Sequence, residues 1–168
     1  EALLGGLVFT QSYTDQSGSI NLLGGTLRAS QPLRLSRGWL RGYGGLRSDV
    51  ISGSTLQVVG TNGVMQIEGD YTQSLEGGVE FLIAGPQAGV SHGRLDITGA
   101  AKLDGSIAVH WVDGYVPEVG AVFQVMTFNR GEGQFRCRSG MLLLGYDRRL
   151  EVVVGANDVK LVCVAAPD

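Results

Sequence analysis

Apolar residues in this chain come in runs of three to seven, each ended by Gly, Asn, Asp, Ser or Pro. Leu7-Val8-Phe9, Thr55-Leu56-Gln57-Val58-Val59, Val79-Glu80-Phe81-Leu82-Ile83 and Leu150-Glu151-Val152-Val153-Val154 are typical. Helical periodicity is almost absent, and short runs punctuated by turn formers are the signature of strands. Glycine supplies most of the punctuation: 27 of 168 residues, against a usual share of roughly 7%. Collagen is excluded because glycine does not fall at every third position. Disorder is excluded by the recurring Leu, Val and Ile and a net charge of only -3. No apolar run approaches the roughly 20 residues of a membrane helix. The class expected is all-β.

Internal similarity refines that class. Leu4-Gly5-Gly6-Leu7 returns 19 residues later as Leu23-Gly24-Gly25-Thr26-Leu27, with Arg37-Gly38-Trp39-Leu40 and Ser52-Gly53-Ser54-Thr55-Leu56 as looser copies. The stretch beginning Tyr13-Thr14-Asp15 is similar to that beginning Tyr71-Thr72-Gln73. A period near 19 suits one coil of a parallel β-helix, whose rungs stack about 4.8 Å apart with glycine at the corners. The expectation is a right-handed parallel β-helix (solenoid) ending in a β-rich C-terminal cap. Residues 1–68 are read as solenoid rungs and 69–168 as broader coils and capping region, in one continuous unit. Glu1 opens without a signal-peptide pattern and enters a rung-like pattern at once, as a cut through a longer solenoid would.

Several motifs carry a family resemblance. Met65-Gln66-Ile67-Glu68-Gly69-Asp70-Tyr71-Thr72-Gln73 resembles the Gly-Asp-Tyr-Thr-Gln signature near the C-terminus of autotransporter-like, Gly-rich β-helical surface proteins of bacteria. Arg94-Leu95-Asp96-Ile97-Thr98-Gly99-Ala100-Ala101-Lys102-Leu103-Asp104-Gly105-Ser106-Ile107 and Gly114-Tyr115-Val116-Pro117-Glu118-Val119-Gly120-Ala121-Val122-Phe123 follow the succeeding pattern. The resemblance implies a secreted or cell-surface setting and a structural role in adhesion or surface-layer assembly. It implies upstream rungs of the same chain as partner, and it carries no catalytic residue. Cys137, Cys163, His92 and the Arg-rich stretch 28–47 are not part of that pattern.

Charge limits the partners further. A pI near 5.3 argues against a nucleic-acid binder. Residues 1–60 are nevertheless net +2, from Arg28, Arg34, Arg37, Arg41 and Arg47 against three acids. These arginines either shield strands from aggregation or form a patch for anions and acidic glycans. Trp39 and Tyr43 lie among Arg37, Arg41 and Arg47, so the candidate ligand-binding residues are Trp39, Tyr43, Arg37, Arg41 and Arg47, with surface glycans or proteins as partner. The alternative for these aromatics, and for Tyr71, Trp111 and Tyr115, is packing at coil corners and in the cap.

Catalytic and metal chemistry find little support. His92 and His110 lack ligand spacing, and a triad of Ser91, His92 and Asp96 would be made of neighbours along one strand or turn. Glu68, Asp70, Glu76, Glu80, Asp96 and Asp104 could furnish a glycosidase acid pair, but most alternate with apolar residues as solvent-side positions do. No enzyme activity, cofactor or metal is expected. A polysaccharide-active enzyme ranks behind a structural module and a carbohydrate-binding module. Cys137 and Cys163 either form a disulfide, closing a loop worth roughly 3 kcal/mol, or sit apart as small apolar side chains.

Overall fold

The computed structural model describes residues 2–4, 7–10, 14–15, 19–60, 63–143 and 145–166. No helix occurs among them. The fold is all-β, with a mixed sheet of 14 strands and an all-parallel sheet of 6.

Three parallel ladders organise it, with strands numbered in chain order. In the first, β1 (Ala2–Leu4) and β2 (Leu7–Thr10) pair with β4 (Ser19–Ala29). That ladder continues through β6 (Trp39–Arg47), β8 (Thr55–Val58), β11 (Gly78–Ile83), β14 (Ser106–Trp111) and β17 (Cys137–Ser139). The second branches from the later half of β6 to β9 (Val64–Ile67), β12 (Arg94–Ile97) and β15 (Val122–Thr127). The third is the smaller sheet: β3 (Thr14–Asp15), β5 (Leu33–Leu35), β7 (Val50–Ser52), β10 (Tyr71–Gln73), β13 (Ala100–Leu103) and β16 (Arg130–Gly133). Each pass of the chain therefore adds a strand beside that of the preceding pass.

In the second ladder parallel pairing ends at β15. There β20 (Asp158–Ala165) pairs antiparallel, followed by β19 (Arg148–Val154) and β18 (Leu142–Leu143). The β19–β20 turn reaches the third ladder as well, where the Gly131 amide donates to the Ala156 carbonyl at 3.0 Å. Only Gly140 and Met141 separate β17 from β18, so the larger sheet nearly closes on itself.

Alternation along the strands makes the core. In the first ladder Ile20, Leu40, Leu56, Val79 and Ile107 occupy one register row and are all buried. Met65, Leu95 and Met126 form such a row in the second, and Leu33, Val50, Tyr71 and Ala101 in the third. Each fully buried aliphatic side chain contributes about 1.5–3 kcal/mol before chain entropy is charged. The repeats found in the sequence meet only in part in these ladders: Leu7 pairs with Thr26 at the spacing of 19, whereas Leu4 pairs with Leu22 and not Leu23, one residue out of that alignment. β3 and β10, which hold the two Thr-containing copies, share the third ladder; Gly5, Gly6 and Tyr13 lie outside the described residues. One expectation changes. Gly24-Gly25 is not a corner between strands but an irregularity inside β4, between Leu23 and Thr26.

Candidate functional site

The Gly-Asp-Tyr-Thr-Gln motif is a joint between successive passes. The Asp70 amide donates to Asp49 Oδ1 at 2.8 Å, and Asp70 Oδ1 in turn accepts from the Ala100 amide at 2.7 Å. Each aspartate thus satisfies a backbone donor of the following pass at the same corner. Tyr71 is fully buried and its hydroxyl donates to Gln73 Oε1 at 2.9 Å. Burial raises the Tyr71 pKa, so the phenol stays a donor. Gln73 Nε2 lies within hydrogen-bond distance of the carbonyls of Gly77, Asp104 and Ser106, at 3.2, 2.6 and 2.9 Å. A buried side chain that ties its own turn to the next satisfies polar groups that would each cost about 1–3 kcal/mol unpaired. Every polar group of the motif that these bonds describe is committed to the fold.

The aromatic and arginine candidates do not converge on one spot. Trp39, Arg41 and Tyr43 alternate along the outward face of β6, as period-two spacing requires. The Arg41 guanidinium carbon sits 4.4 Å from the Trp39 ring centroid, and Arg41 Nε donates to Asn21 Oδ1 at 2.7 Å. Tyr43 lies against Gly24 of the neighbouring strand, where a Cβ would stand 3.2 Å from its ring. Arg47, at the far end of β6, pairs with Glu68 at 3.1 Å. Arg37 is exposed in the bend before β6. The five-residue patch expected from sequence thus resolves into one organised pair, Trp39 and Arg41.

Residues absent from that patch complete the surroundings of this pair. Thr55 and Gln57 on β8 and Glu80 on β11 line a depression of about 190 Å³ together with Trp39 and Arg41. Gln57 Nε2 donates to Glu80 Oε2 at 2.8 Å, and His110 Nε2 lies 3.0 Å from the same oxygen. Asn21, Arg41, Gln57 and Glu80 occupy a single register row across four strands. Period-two alternation marks them as outward, but nothing local marks them as neighbours.

A second cluster, apolar, lies toward the antiparallel end. Trp111, Tyr115, Val116, Leu142, Leu143 and Tyr146 border an open cleft of about 320 Å³, with Gly114 at its edge. Trp111 and Tyr115 pack edge-on to buried Phe123, and the Trp111 indole donates to the Gly140 carbonyl at 3.1 Å. These aromatics take the packing role, and Leu142 and Tyr146 remain exposed beside them.

The other candidates have separate places. His92 is buried, with its ring nitrogens 3.1 Å from the Gly85 carbonyl and 3.2 Å from that of Gln124. Burial lowers its pKa, against the opposing pull of those two carbonyls. Ser91 accepts from the Gln87 amide, and Asp96 is held by Arg94 and the Thr127 hydroxyl. The paper triad of Ser91, His92 and Asp96 does not assemble. Asp104 is engaged by Arg136 at 2.6 Å, which holds its carboxyl below the usual range. Glu76 accepts from Ser74. Among the described residues no group of three His, Cys, Asp or Glu side chains could hold a metal ion.

Cys137 and Cys163 are both free thiols, which corrects the disulfide alternative. Cys137 is exposed on β17, whereas Cys163 is buried on β20 with its sulfur 3.9 Å from the Pro117 carbonyl. Burial raises the Cys163 pKa, keeping it a neutral thiol. No protein-family model matches the chain, and no curated protein matches its sequence.

Proposed function

We propose that this protein is the terminating segment of a right-handed parallel β-solenoid, of the kind found in Gly-rich autotransporter-like bacterial surface proteins. Its role is to end and stabilise a rigid stalk at the cell surface or outside the cell, in adhesion or surface-layer assembly. The observation that carries this reading is the asymmetry of the ladders. At one end β20, β19 and β18 lie antiparallel over β15 and the β19–β20 turn bonds to β16. At the other, β1, β2 and β3 pair only with later strands among the described residues. An unpaired edge is a template for another strand, and a covered edge is not. The open end suits preceding rungs of the same chain as partner. The cover over β15 and β16 stops growth of two of the three ladders, with β17 left as the edge of the first among the described residues.

Duplicating one pass tests the architecture. A solenoid tolerates an inserted copy of residues 19–38 after residue 38, because each coil contacts only its neighbours. The enlarged protein is expected to stay folded with a larger urea m value, since m scales with the surface exposed on unfolding. An unfolded product, or an unchanged m value, would overturn the reading. The setting has its own test: antibodies against the protein should label intact cells of the producing bacterium, and labelling only after lysis would rule out surface display.

A further inference from the structure

We infer that the depression between Trp39 and Glu80 is a binding site for one neutral sugar ring of a glycan. This goes beyond the stalk role and does not rest on it, because the site is built from the outward face of β6, β8 and β11 alone. The register row of Trp39 and Thr55 continues into Gly78, over which Ser106 Oγ lies, so the depression is bounded by Trp39, Arg41, Thr55, Gln57 and Glu80. The resulting volume of about 190 Å³ equals roughly six waters at ~30 Å³ each.

The chemistry of the lining selects the ligand. Trp39 supplies an apolar wall, Arg41 supplies donors, Glu80 supplies acceptors, and Thr55 can do either. A ligand that satisfies all four must offer C–H surface together with hydroxyls that both donate and accept. A sugar ring is such a ligand. A carboxylate or sulfate group brought in by an acidic glycan would meet Glu80 in the same small space, and a cation would meet Arg41. The mixed lining therefore points away from the acidic sugars that the surrounding arginines suggest.

Both charged groups are already held in place. Arg41 is fixed through its Nε by Asn21 and by stacking on Trp39, which leaves the two terminal nitrogens of its fork for a ligand. Glu80 is fixed through Oε2 by Gln57 and His110, which leaves Oε1. Neither side chain must be ordered on binding, so little conformational entropy is lost. The two terminal guanidinium nitrogens match a pair of adjacent hydroxyls, and Glu80 Oε1 accepts from a further one.

The test is titration of the intact protein with neutral gluco-, manno- and galacto-oligosaccharides, and with uronate- and sialic-acid-bearing ones, followed by NMR. A neutral oligosaccharide is expected to shift the Trp39 indole and the Thr55 and Gln57 amides. Thr55→Tyr fills the depression with a residue that strands favour, and Gln57→Ala releases Glu80. Each should weaken binding at least about tenfold, or 1.4 kcal/mol, with an unchanged urea midpoint. Arg37→Ala and Tyr43→Ala, outside the depression, should leave affinity unchanged. Failure of every neutral oligosaccharide at about 10 mM would overturn the inference. So would binding that survives Thr55→Tyr in the folded protein, or binding confined to acidic glycans and lost with Arg37→Ala.

Discussion

The parallel ladders and the antiparallel end use the same residue, glycine, for different physical reasons. At Gly42, inside β6, φ is 131° and a Cβ would stand 1.8 Å from the Leu22 carbonyl oxygen of the neighbouring strand. Glycine is required there because two backbones meet with no room for a methyl group. At Gly145, between β18 and β19, φ is 82° but nothing lies within 4 Å of an added Cβ. There glycine only permits a turn. The ladders are thus limited by contact between passes, and the antiparallel end by local chain geometry.

Substitutions can break this distinction. Gly42→Ala combines backbone strain with overpacking and should cost on the order of 4 kcal/mol. Gly145→Ala meets strain alone and should cost about 1–2 kcal/mol. Urea denaturation of both variants checks the contrast, and equal losses would refute it. Gln73→Leu tests the ladders through hydrogen bonding. It removes the acceptor of the Tyr71 hydroxyl and the amide that donates to carbonyls of the next pass, and should cost about 3 kcal/mol. Leu161→Ala, in buried β20, should cost about 3 kcal/mol by leaving a cavity. Its hydrogen exchange should quicken first in β18–β20, whereas Gln73→Leu should loosen β7, β10 and β13. Matching exchange patterns would mean that the two regions unfold as one unit.

The smallest effect concerns His92, which joins the segment before β12 to β15. Its pKa is lowered in the folded protein, chiefly by burial. The unfolded chain therefore binds the proton more readily, and folded stability rises with pH through this window. Stability is full above the ordinary histidine pKa of about 6.5 and declines as pH falls below it towards the folded value. Urea midpoints at pH about 7.5 and 5.5 should differ modestly in the native protein. His92→Gln should flatten that difference, and an unchanged slope would assign it elsewhere.

The all-β class was legible because burial on one face of a strand leaves period two in the residues, as in Arg94-Leu95-Asp96-Ile97. Pairing between repeats was partly legible: Leu7 pairs with Thr26 as the spacing of 19 aligns them, but Leu4 pairs with Leu22 in place of Leu23. The Gly-Asp-Tyr-Thr-Gln motif stood out as a string, but its role did not. Gln73 acts on the carbonyls of Asp104 and Ser106, more than thirty residues on, and no spacing within the motif encodes that.

The candidate site was half legible. Trp39 and Arg41 are two apart on one strand, so alternation places them on one face. Thr55, Gln57 and Glu80 join them only through the β6–β8–β11 register, and coil lengths vary enough to hide that register from the sequence. Local spacing likewise grouped Tyr43, Arg37 and Arg47 with Trp39, although Arg47 instead pairs with Glu68. By itself, then, the sequence determined the strand class and which side chains face out, because those properties depend on neighbours along the chain. It misplaced a turn at Gly24-Gly25, which lies inside β4. Tertiary structure alone decided which outward side chains share a surface and which strand ends the ladder. Those outcomes depend on register between passes, set by core packing and by close backbone contacts such as that of Gly42 with Leu22.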